Sequence, residues 1–426
     1  MPDDRSPVRG MLRIATAGSV DDGKSTLIGR LLYDSKSVFE DQLSAVERST
    51  RKRGGEGIDL SLLTDGLIAE REQGITIDVA YRYFATARRK FIIADSPGHE
   101  QYTRNMVTGA STADLAILLI DARKGLLVQS RRHALIASLL GLQHVVVAVN
   151  KMDLVDYQES VFRSIEQEFR TFLGHIGITD ARFIPVSALD GDNVVDPSEH
   201  MPWYTGLPLL ELLESVDTDS SRAAGAPLRF PVQQCHRPRA PAQADFRGYM
   251  GRIESGTVRP GDAVVVQPSG LRTRVKDILV WQTDAMHSLP SAMAGDSVTL
   301  VLADECDISR GDMIAAQTAP ATNAREFDAL LCWMDSEALD PGRKYLLKHT
   351  TRNVPARVHS ITSRIDVNSG NEVPTQSLEL NDMARVRLQV QLPLALDRYA
   401  DNRVTGSFIL IDEASNHTVA AGMIGR

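Results

Sequence analysis

The sequence places two glycines, a lysine and a hydroxyl residue at the spacing of a phosphate-binding loop. The octapeptide GSVDDGKS occupies residues 18–25, between an apolar run and a helical stretch. Gly18 and Gly23 allow backbone amides to approach phosphate oxygens, and the following helix adds the positive end of its dipole. We expect Lys24 to reach the β- and γ-phosphates and Ser25 to ligate magnesium. The residues predicted to bind a nucleoside triphosphate here are Gly18, Ser19, Val20, Asp21, Asp22, Gly23, Lys24, Ser25 and Thr26.

A second motif, NKMD at residues 150–153, indicates which base the nucleotide carries. The motif directly follows the apolar, β-branched run 145–149, which is typical of a parallel strand buried on both faces. The carboxylate of Asp153 can accept two hydrogen bonds from the N1 and N2 donors of guanine, a pattern that adenine cannot supply. Asn150 is expected to brace the site, and the stem of Lys151 to cover one face of the ring. The sequence therefore predicts GTP rather than ATP.

A third segment, Ser187-Ala188-Leu189, follows another predicted strand and is expected to supply a backbone amide to the guanine oxygen. Taken alone, this segment and NKMD are each weak signals, because a polar loop that closes a strand would look the same. Their order after the phosphate-binding loop makes guanine binding the stronger interpretation.

Two further segments are candidate sensors of the γ-phosphate. In DSPGH at residues 95–99, Asp95 is expected to hold magnesium through water, and Gly98 to present its amide to the γ-phosphate. Upstream, Thr76 is a candidate magnesium ligand in the triphosphate state. His99 is the candidate catalytic residue, because it follows the γ-phosphate sensor and could orient the attacking water. The other histidines are interpreted as packed or surface residues.

The distribution of apolar, polar and turn residues predicts three parts of the chain. Residues 1–217 alternate buried strands with helical stretches, which predicts a doubly wound α/β sheet whose motifs gather at the carboxyl ends of the strands. The polar segment 217–227 is interpreted as a linker. Residues 228–317 and 322–426 are rich in short strands and turns, which favours two small antiparallel barrels. Periodicity alone does not distinguish a barrel from a sandwich.

The composition narrows the class of protein further. The start of the chain has no apolar signal region, and no apolar stretch reaches membrane-spanning length, so we expect a cytoplasmic protein without membrane contact. The formal net charge of −8 argues against broad nucleic-acid binding. Cys235, Cys306 and Cys332 have no metal-ligand spacing, which indicates reduced, mostly buried thiols. The basic runs 51–53 and 88–90 are expected to be solvated faces or a switch-loop hinge.

The order GSVDDGKS, REQGITID, DSPGH, NKMD and SAL resembles the translation-factor class of GTPases, of which elongation factor Tu is the familiar member. The chain resembles more closely the large, GTP-hydrolysing subunit of bacterial sulfate adenylyltransferase. The segments that carry this resemblance span nearly the whole chain. They are GSVDDGKSTLIGRLLYDSK from Gly18, GIDLSLLTDGL from Gly57, AEREQGITIDVAYRYF from Ala69, FIIADSPGHEQYTRNMVTGASTADLAILLIDARKG from Phe91, GDNVV from Gly191, MPWYTG from Met201 and RVTGSFILID from Arg403.

A few positions separate the two families. Translation factors typically have His in place of Asp22 and Arg-Gly in place of Gln73-Gly74, so both positions favour the sulfate-activation family. The chain departs from the usual pattern of that family at Ser96, where threonine is more common. It also departs from it in the alanine- and proline-rich stretch that opens at Cys235, which bears on the contacts of the middle domain.

The resemblance implies an α/β P-loop GTPase domain followed by two small antiparallel β-barrel domains, as in elongation factors. It also implies a GTPase subunit of an enzyme of sulfate assimilation and cysteine biosynthesis, with GTP and Mg²⁺ as its ligands. Such a subunit hydrolyses GTP to drive formation of adenosine 5′-phosphosulfate and pyrophosphate from ATP and sulfate by a small catalytic partner subunit. The sequence shows no second phosphate loop, so adenylyl transfer is expected from that partner. In some relatives a kinase for adenosine 5′-phosphosulfate is fused to the C-terminus.

The alternative is a translation elongation-factor-like GTPase that delivers charged RNA to the ribosome. This alternative predicts RNA-dependent GTP hydrolysis and an electropositive surface across the barrels. A weaker one is a structural or regulatory GTPase with another partner. The nucleotide motifs do not separate these three functions; Asp22, the QGITID switch and the segments outside the nucleotide site do.

Overall fold

The computed structural model describes residues 9–36, 38, 43–44, 46–47, 50, 59–63, 79–98, 103–142, 144–217, 220–237, 246–282 and 285–425. The chain divides into two compact units. The first comprises Met1–Thr218 with Asp366–Asn371, and the second comprises Asp219–Ile365 with Glu372–Arg426. In the described part of the chain, no helix combines the length and apolar character that a membrane crossing requires.

The first unit is built around a six-stranded sheet. Its strands are β1 (Arg9–Ala17), β2 (Ala80–Ala85), β3 (Arg89–Asp95), β4 (Leu115–Asp121), β5 (His144–Asn150) and β6 (Ala181–Pro185). Its helices are α1 (Lys24–Asp34), α2 (Thr103–Ser111), α3 (Val128–Leu139), α4 (Glu159–His175) and α5 (Leu209–Ser215), with 3-10 turns at Leu60–Leu63 and Met152–Val155. The strand order is β2–β3–β1–β4–β5–β6, and only β2 is antiparallel to its neighbour. The predicted α/β fold is confirmed.

The central strands of this sheet are apolar because both of their faces are covered. All residues of β4 are buried, and so is the run 145–149 of β5, as expected for parallel strands between helices. Helix α4 instead buries one stripe, in which Phe162, Ile165 and Phe169 recur at helical spacing. Because β1 and β3 to β6 are parallel, their carboxyl ends lie at one edge of the sheet, where the polar motifs follow them.

The second unit begins with a closed six-stranded antiparallel barrel, which we call the first barrel. Its strands are β7 (Arg229–His236), β8 (Gly248–Arg252), β10 (Ala263–Gln267), β11 (Leu271–Gln282), β14 (Ser297–Leu302) and β15 (Met313–Ala316). The order is β10–β15–β7–β8–β14–β11, and β11 pairs back with β10 to close the ring. The remaining strands of this region are β9 (Thr257–Val258), β12 (Ala285–Ser288) and β13 (Ala292–Met293). Helix α6 (Ser220–Gly225) precedes the barrel, within the segment interpreted as a linker.

A second barrel follows with the same number of strands in its ring. These are β16 (Thr322–Trp333), β17 (Tyr345–His349), β18 (Arg352–Ile365), β20 (Met383–Leu396), β21 (Ser407–Asp412) and β22 (Thr418–Ile424), while β19 (Glu372–Val373) pairs only with β18. The order β17–β21–β22–β16–β20–β18 is closed by the pairing of β17 with β18. The two predicted antiparallel barrels are confirmed, and the closing pairs exclude a sandwich.

Alternating burial along the strands and turn residues between them explain why these segments form barrels. In β20, Val386, Leu388 and Val390 are buried, while Arg387 and Gln389 between them are exposed, so one face of the strand lines the barrel core. The β10–β11 hairpin turns at a glycine with φ of 80°, a conformation that residues with a Cβ rarely adopt. Register shifts in β18 and β20 add the local bending that a closed ring needs.

A bidentate ion pair joins the two barrels of the second unit. Arg229 of β7 donates from Nε and Nη2 to the two carboxylate oxygens of Asp397, at 2.7 and 2.8 Å. Arg229 also donates to the carbonyl of Ala319 at 2.8 Å, and Asp397 accepts from the Thr405 hydroxyl at 2.6 Å. Both partners are largely removed from solvent, so each depends on the other for its charge to be tolerated there.

Arg89, in the second basic run, is not solvent-exposed as expected. Its side chain is fully buried, and it donates to the carbonyls of Gly10 and Leu213, both at 3.1 Å, and of Val216. Leu213 and Val216 lie at the carboxyl end of α5, where backbone carbonyls lack helical partners and attract a cation. Arg89 therefore anchors α5 to the sheet. The other basic run, 51–53, lies outside the described residues.

Candidate nucleotide-binding site

The predicted phosphate-binding loop connects β1 to α1. Gly23 caps α1 with φ of 91°, and a Cβ at this position would clash with the side chain of Asn150, so only glycine fits. The helix begins at Lys24, which leaves the first amides of α1, including those of Ser25 and Thr26, without helical acceptors. These amides and the helix dipole make the loop suitable for an anion.

Lys24 is held on the inside of the loop. Its ammonium donates to the carbonyls of Gly18 at 2.7 Å and Ser19 at 3.0 Å, and its side chain is buried. Burial lowers the pKa of Lys24, while the negative charge of Asp95 acts in the opposite direction. An anionic ligand at the loop would therefore favour the charged form of this lysine.

Two buried side-chain oxygens of the phosphate-binding loop have no hydrogen-bond partner among the described residues: Ser19 Oγ and Asp22 Oδ1. The other carboxylate oxygen of Asp22 accepts from the Ser19 amide at 2.6 Å, and burial raises the pKa of Asp22. Val20 is half-buried, and Asp21 is exposed with φ of 67°. Because buried polar atoms are nearly always bonded, this end of the site fits an additional polar group.

Asp95 and Gly98 lie beside the phosphate-binding loop. Asp95 ends β3 in register with Thr16 of β1, and the Thr16 hydroxyl donates to Asp95 Oδ1 at 3.1 Å, with both residues buried. A Cβ on Gly98 would lie 2.6 Å from the carbonyl oxygen of Gly18, so the chain can approach the loop only because this residue is glycine. The sequence reasoning missed Thr16, whose only signal is a hydroxyl on a buried strand. Thr76 and His99 lie outside the described residues.

Asn150 connects the two ends of the site. Its Nδ2 donates to the carbonyl of Asp22 in the phosphate-binding loop at 2.8 Å, and its Oδ1 accepts from the Ala188 amide at 3.0 Å. This bridge agrees with the bracing role expected for Asn150. Because the Ala188 amide is engaged, the amide of the exposed Leu189 is the next donor of this segment available to a base.

Lys151 and Asp153 follow β5 at the same edge of the sheet. Lys151 has φ of 64°, and its ammonium pairs with Asp121 at 3.0 Å and donates to the carbonyl of Asp21. Asp153 is half-buried in the 3-10 turn that follows, and Ser187 is buried at the end of β6. The structure therefore brings the NKMD and SAL segments together next to the phosphate-binding loop.

Two charged residues of this region were not found from the sequence. Arg30 of α1 donates to the carbonyls of Ala188, at 3.2 Å, and Leu189, and so fixes the SAL segment. Asp121 ends β4 and pairs with both Lys151 and Arg123. Burial opposes ionisation of Asp121, but its hydrogen bonds from Arg123 and Lys151 outweigh this effect and lower its pKa. The only signal was that the apolar run of β4 ends in a carboxylate.

Together, the described residues fit a guanine nucleotide with a divalent cation. The loop offers amides and an ammonium group to phosphates, and unpartnered buried oxygens lie beside them. The hydroxyl of Ser25 and the carboxylate of Asp95 are hard oxygen ligands, as Mg²⁺ requires. At the other end, the carboxylate of Asp153 and the amide of Leu189 are of the acceptor and donor types that the edge of guanine requires.

Comparisons with known proteins place the chain among GTPases. A family model described as the elongation factor Tu GTP binding domain matches residues 9–220, and one described as GTP-eEF1A C-terminal domain-like matches residues 326–425. The two matches cover the α/β domain and the second barrel.

Curated relatives match over nearly the whole chain. Sulfate adenylyltransferase subunit 1 of Laribacter hongkongensis is 54% identical over 99% of this chain and 86% of its own length. The protein of the same name from Chromobacterium violaceum is 55% identical over 98% of this chain and 86% of its own length. The bifunctional enzyme CysN/CysC of Mycobacterium tuberculosis is 55% identical over 98% of this chain and 67% of its own length. The similarity therefore includes both barrels as well as the nucleotide motifs.

Proposed function

Since this chain belongs to the sulfate adenylyltransferase subunit 1 family, within the elongation factor Tu class of GTPases, we propose that it hydrolyses GTP to drive sulfate activation. A small catalytic partner subunit would form adenosine 5′-phosphosulfate and pyrophosphate from ATP and sulfate. The observation that carries the proposal is the Asn150 bridge, which joins a phosphate-binding loop to a guanine-reading segment. Identity over nearly the whole chain favours this function over delivery of charged RNA.

Binding of GTP would use both ends of the site. The loop amides and Lys24 bind the phosphates, because several donors there converge on one anion. Asp153 accepts hydrogen bonds from N1 and N2 of guanine, and the Leu189 amide donates to its oxygen. Adenine would leave the carboxylate of Asp153 facing an acceptor, so the site selects GTP.

The magnesium ion expected with GTP would be held by the hydroxyls of Ser25 and Thr76 and, through water, by Asp95. When bound, it supplies positive charge that stabilises the negative charge developing on the phosphate oxygens. Thr16 would help to orient the Asp95 carboxylate, because its hydroxyl donates to Asp95 Oδ1.

Hydrolysis would depend on the segment after β3. Gly98 presents its amide to the γ-phosphate, and His99 orients the attacking water. Loss of the γ-phosphate releases this segment and that of Thr76, which changes their conformation. The partner subunit would respond to that change, so GTP cleavage and adenylyl transfer are coupled by conformation rather than by a shared phosphoryl intermediate.

The same proposal covers the organisation of the chain. The GTP-binding domain comprises residues 1–217, and the barrels comprise residues 228–317 and 322–426, as the sequence predicts. We place the reaction in the cytoplasm, because it uses GTP and ATP and the described cysteines are free thiols.

The test is a coupled assay with the full chain and its small partner subunit. GTP hydrolysis and adenosine 5′-phosphosulfate are measured with and without ATP plus sulfate. We expect the two rates to rise together, and a non-hydrolysable GTP analogue to abolish the gain in product. Hydrolysis that ignores ATP and sulfate but responds to ribosomes and charged RNA would instead support the translation function.

A further inference from the structure

The carboxylate of Asp121 is buried and holds two cations. Its Oδ2 lies 3.0 Å from Lys151 Nζ and 2.7 Å from Arg123 Nη2. Its Oδ1 accepts from Arg123 Nε and from the Arg123 amide, both at 3.0 Å. The carboxylate therefore stays ionised inside the protein, because donors surround both of its oxygens.

Asp121 is placed to act on Lys151 by the register of the sheet. Strands β4 and β5 are parallel, and Asp121 is the Cα partner of Asn150, the residue directly before Lys151. Both strands are buried and packed here, so the carboxylate has little freedom to move away. A flexible lysine stem normally samples many rotamers, and this ion pair selects one.

Lys151 in turn touches the phosphate-binding loop. Its ammonium donates to the carbonyl of Asp21 while it pairs with Asp121. Its stem starts from a left-handed backbone conformation two residues before Asp153, the predicted reader of the base. The position of one side chain therefore affects the phosphate end and the base end together.

We propose that Asp121 is a positioning residue that sets how long guanine nucleotide stays bound, and that it acts through Lys151. The inference rests on the proposed binding of GTP. With Asp121 ionised, Lys151 ties the loop carbonyl of Asp21 to the base-reading segment. Without that charge the lysine is released toward solvent, and the nucleotide loses its support at both ends.

The experiment measures dissociation of a fluorescent N-methylanthraniloyl GDP from the full chain in the presence of Mg²⁺. The variants are Asp121→Asn, Lys151→Met and the double variant. Removing a residue that orients a metal ligand typically costs about 10- to 100-fold, and by analogy we expect each single variant to release the nucleotide faster by that factor. The double variant should release it no faster than the faster single variant, because both changes remove one interaction.

Glu166→Gln is the matched control. Glu166 also pairs one carboxylate with two arginines, Arg163 at 2.9 Å and Arg170 at 2.8 Å, but it lies on α4 outside the site. This variant should release the nucleotide at the wild-type rate. At saturating GTP, the turnover number of Asp121→Asn should stay within about threefold of wild type while its KM rises, a split that general destabilisation would not produce.

Several outcomes would overturn the proposal. If Asp121→Asn releases the nucleotide at the wild-type rate, Asp121 has no role in retention. If the increases in release rate of the two single variants multiply in the double variant, Asp121 does not act through Lys151. If Asp121→Asn does not fold, Lys151→Met and Asp121→Glu are measured instead. The proposal is contradicted if Lys151→Met releases the nucleotide at the wild-type rate, or if Asp121→Glu, which keeps the charge, does not slow release relative to Lys151→Met. If the wild-type chain itself binds no guanine nucleotide, the proposed function fails instead.

Discussion

The base end and the phosphate end of the site are built differently. At the base end three side chains that support the loops already have partners: Asn150 bridges two loops, Lys151 pairs with Asp121, and Arg30 holds the SAL carbonyls. At the phosphate end, buried side-chain oxygens have no partner in the part of the chain that is described. These are Ser19 Oγ and Asp22 Oδ1.

This difference suggests that one end of the site recognises the nucleotide and the other end changes when the nucleotide binds. An unsatisfied buried polar group costs about 1–3 kcal/mol, so a ligand that reorganises the phosphate end can recover free energy there. Asn150, Lys151 and Arg30 offer no such gain, because their hydrogen bonds are already made. The base end is therefore suited to read the nucleotide without rearrangement, and the phosphate end to change with the number of phosphates.

The largest expected effect lies at the phosphate end, at His99. We expect His99→Ala to bind GTP within about threefold of wild type but to lower the rate of hydrolysis by about 10²- to 10⁴-fold, the usual contribution of a positioned acid–base or water-orienting group. Single-turnover hydrolysis with separately measured GTP affinity checks this. A nearly normal rate of GTP hydrolysis in this variant would show that His99 does not take part in the mechanism and that another residue orients the water.

At the base end, Asp153→Asn should change which base is read. The amide would present a donor where guanine also has donors, so GTP affinity should fall by about 10²- to 10³-fold, equivalent to two charged hydrogen bonds. Xanthosine triphosphate has an acceptor in place of the N2 donor, so its affinity should fall much less in this variant. Competition against a fluorescent GDP measures both, and Asp156→Asn in the same turn is the control. Equal losses for both nucleotides would contradict direct base reading.

Thr16→Val tests the support of Asp95 at the phosphate end. The change keeps the shape of the side chain but removes a hydroxyl that helps to orient the Asp95 carboxylate, so we expect about tenfold weaker Mg²⁺ binding. Titration of nucleotide release with Mg²⁺ measures this. Thr16→Ser should restore the wild-type curve, and an unchanged curve in the valine variant would show that Thr16 only packs.

The smallest effect concerns His133 of α3, near Lys24. Burial, followed by the positive charges of Lys24 and Arg132, lowers the pKa of His133 to about 3. Its folded pKa lies below the unfolded value of about 6.5, so its contribution to stability is present above that pH and is lost as the pH falls toward 3. Between pH 7 and pH 5.5, wild type should lose about 1 kcal/mol more than His133→Gln in urea unfolding. If the unfolding free energies of wild type and His133→Gln depend on pH in the same way, His133 does not contribute to the pH dependence of stability.

The fold was predictable because local patterns determine most of it. The buried runs of β3 and β5, the turn at Gly270 and the alternation of β20 each identify an element without any information about its neighbours. Periodicity alone did not distinguish a closed barrel from a sandwich, because closure depends on pairing between strands whose sequences look the same in both; the family resemblance supplied that part of the prediction. The roles of Thr76 and His99 remain predictions from the sequence.

The parts of the site that sequence reasoning missed are contacts between distant segments. Arg30 meets Ala188 across 158 positions, and Thr16 meets Asp95 across 79. Neither pair has a characteristic spacing, because each residue is placed by a different strand or helix. Arg89 was misassigned for a related reason: its partners are backbone carbonyls at a helix end, which leave no trace in the side-chain pattern.

The Arg229–Asp397 pair bears on how the partner-binding surface can be mapped. A shortened chain that ended between the barrels would keep Arg229 and discard Asp397, leaving a buried guanidinium without its counter-charge. Breaking one side of a buried pair costs about 3–5 kcal/mol, a large part of the stability of a small domain. Loss of partner binding in such a deletion would therefore report damage to the first barrel rather than the absence of a contact. Single surface substitutions, made in the intact chain, are the safer way to find where the second subunit attaches.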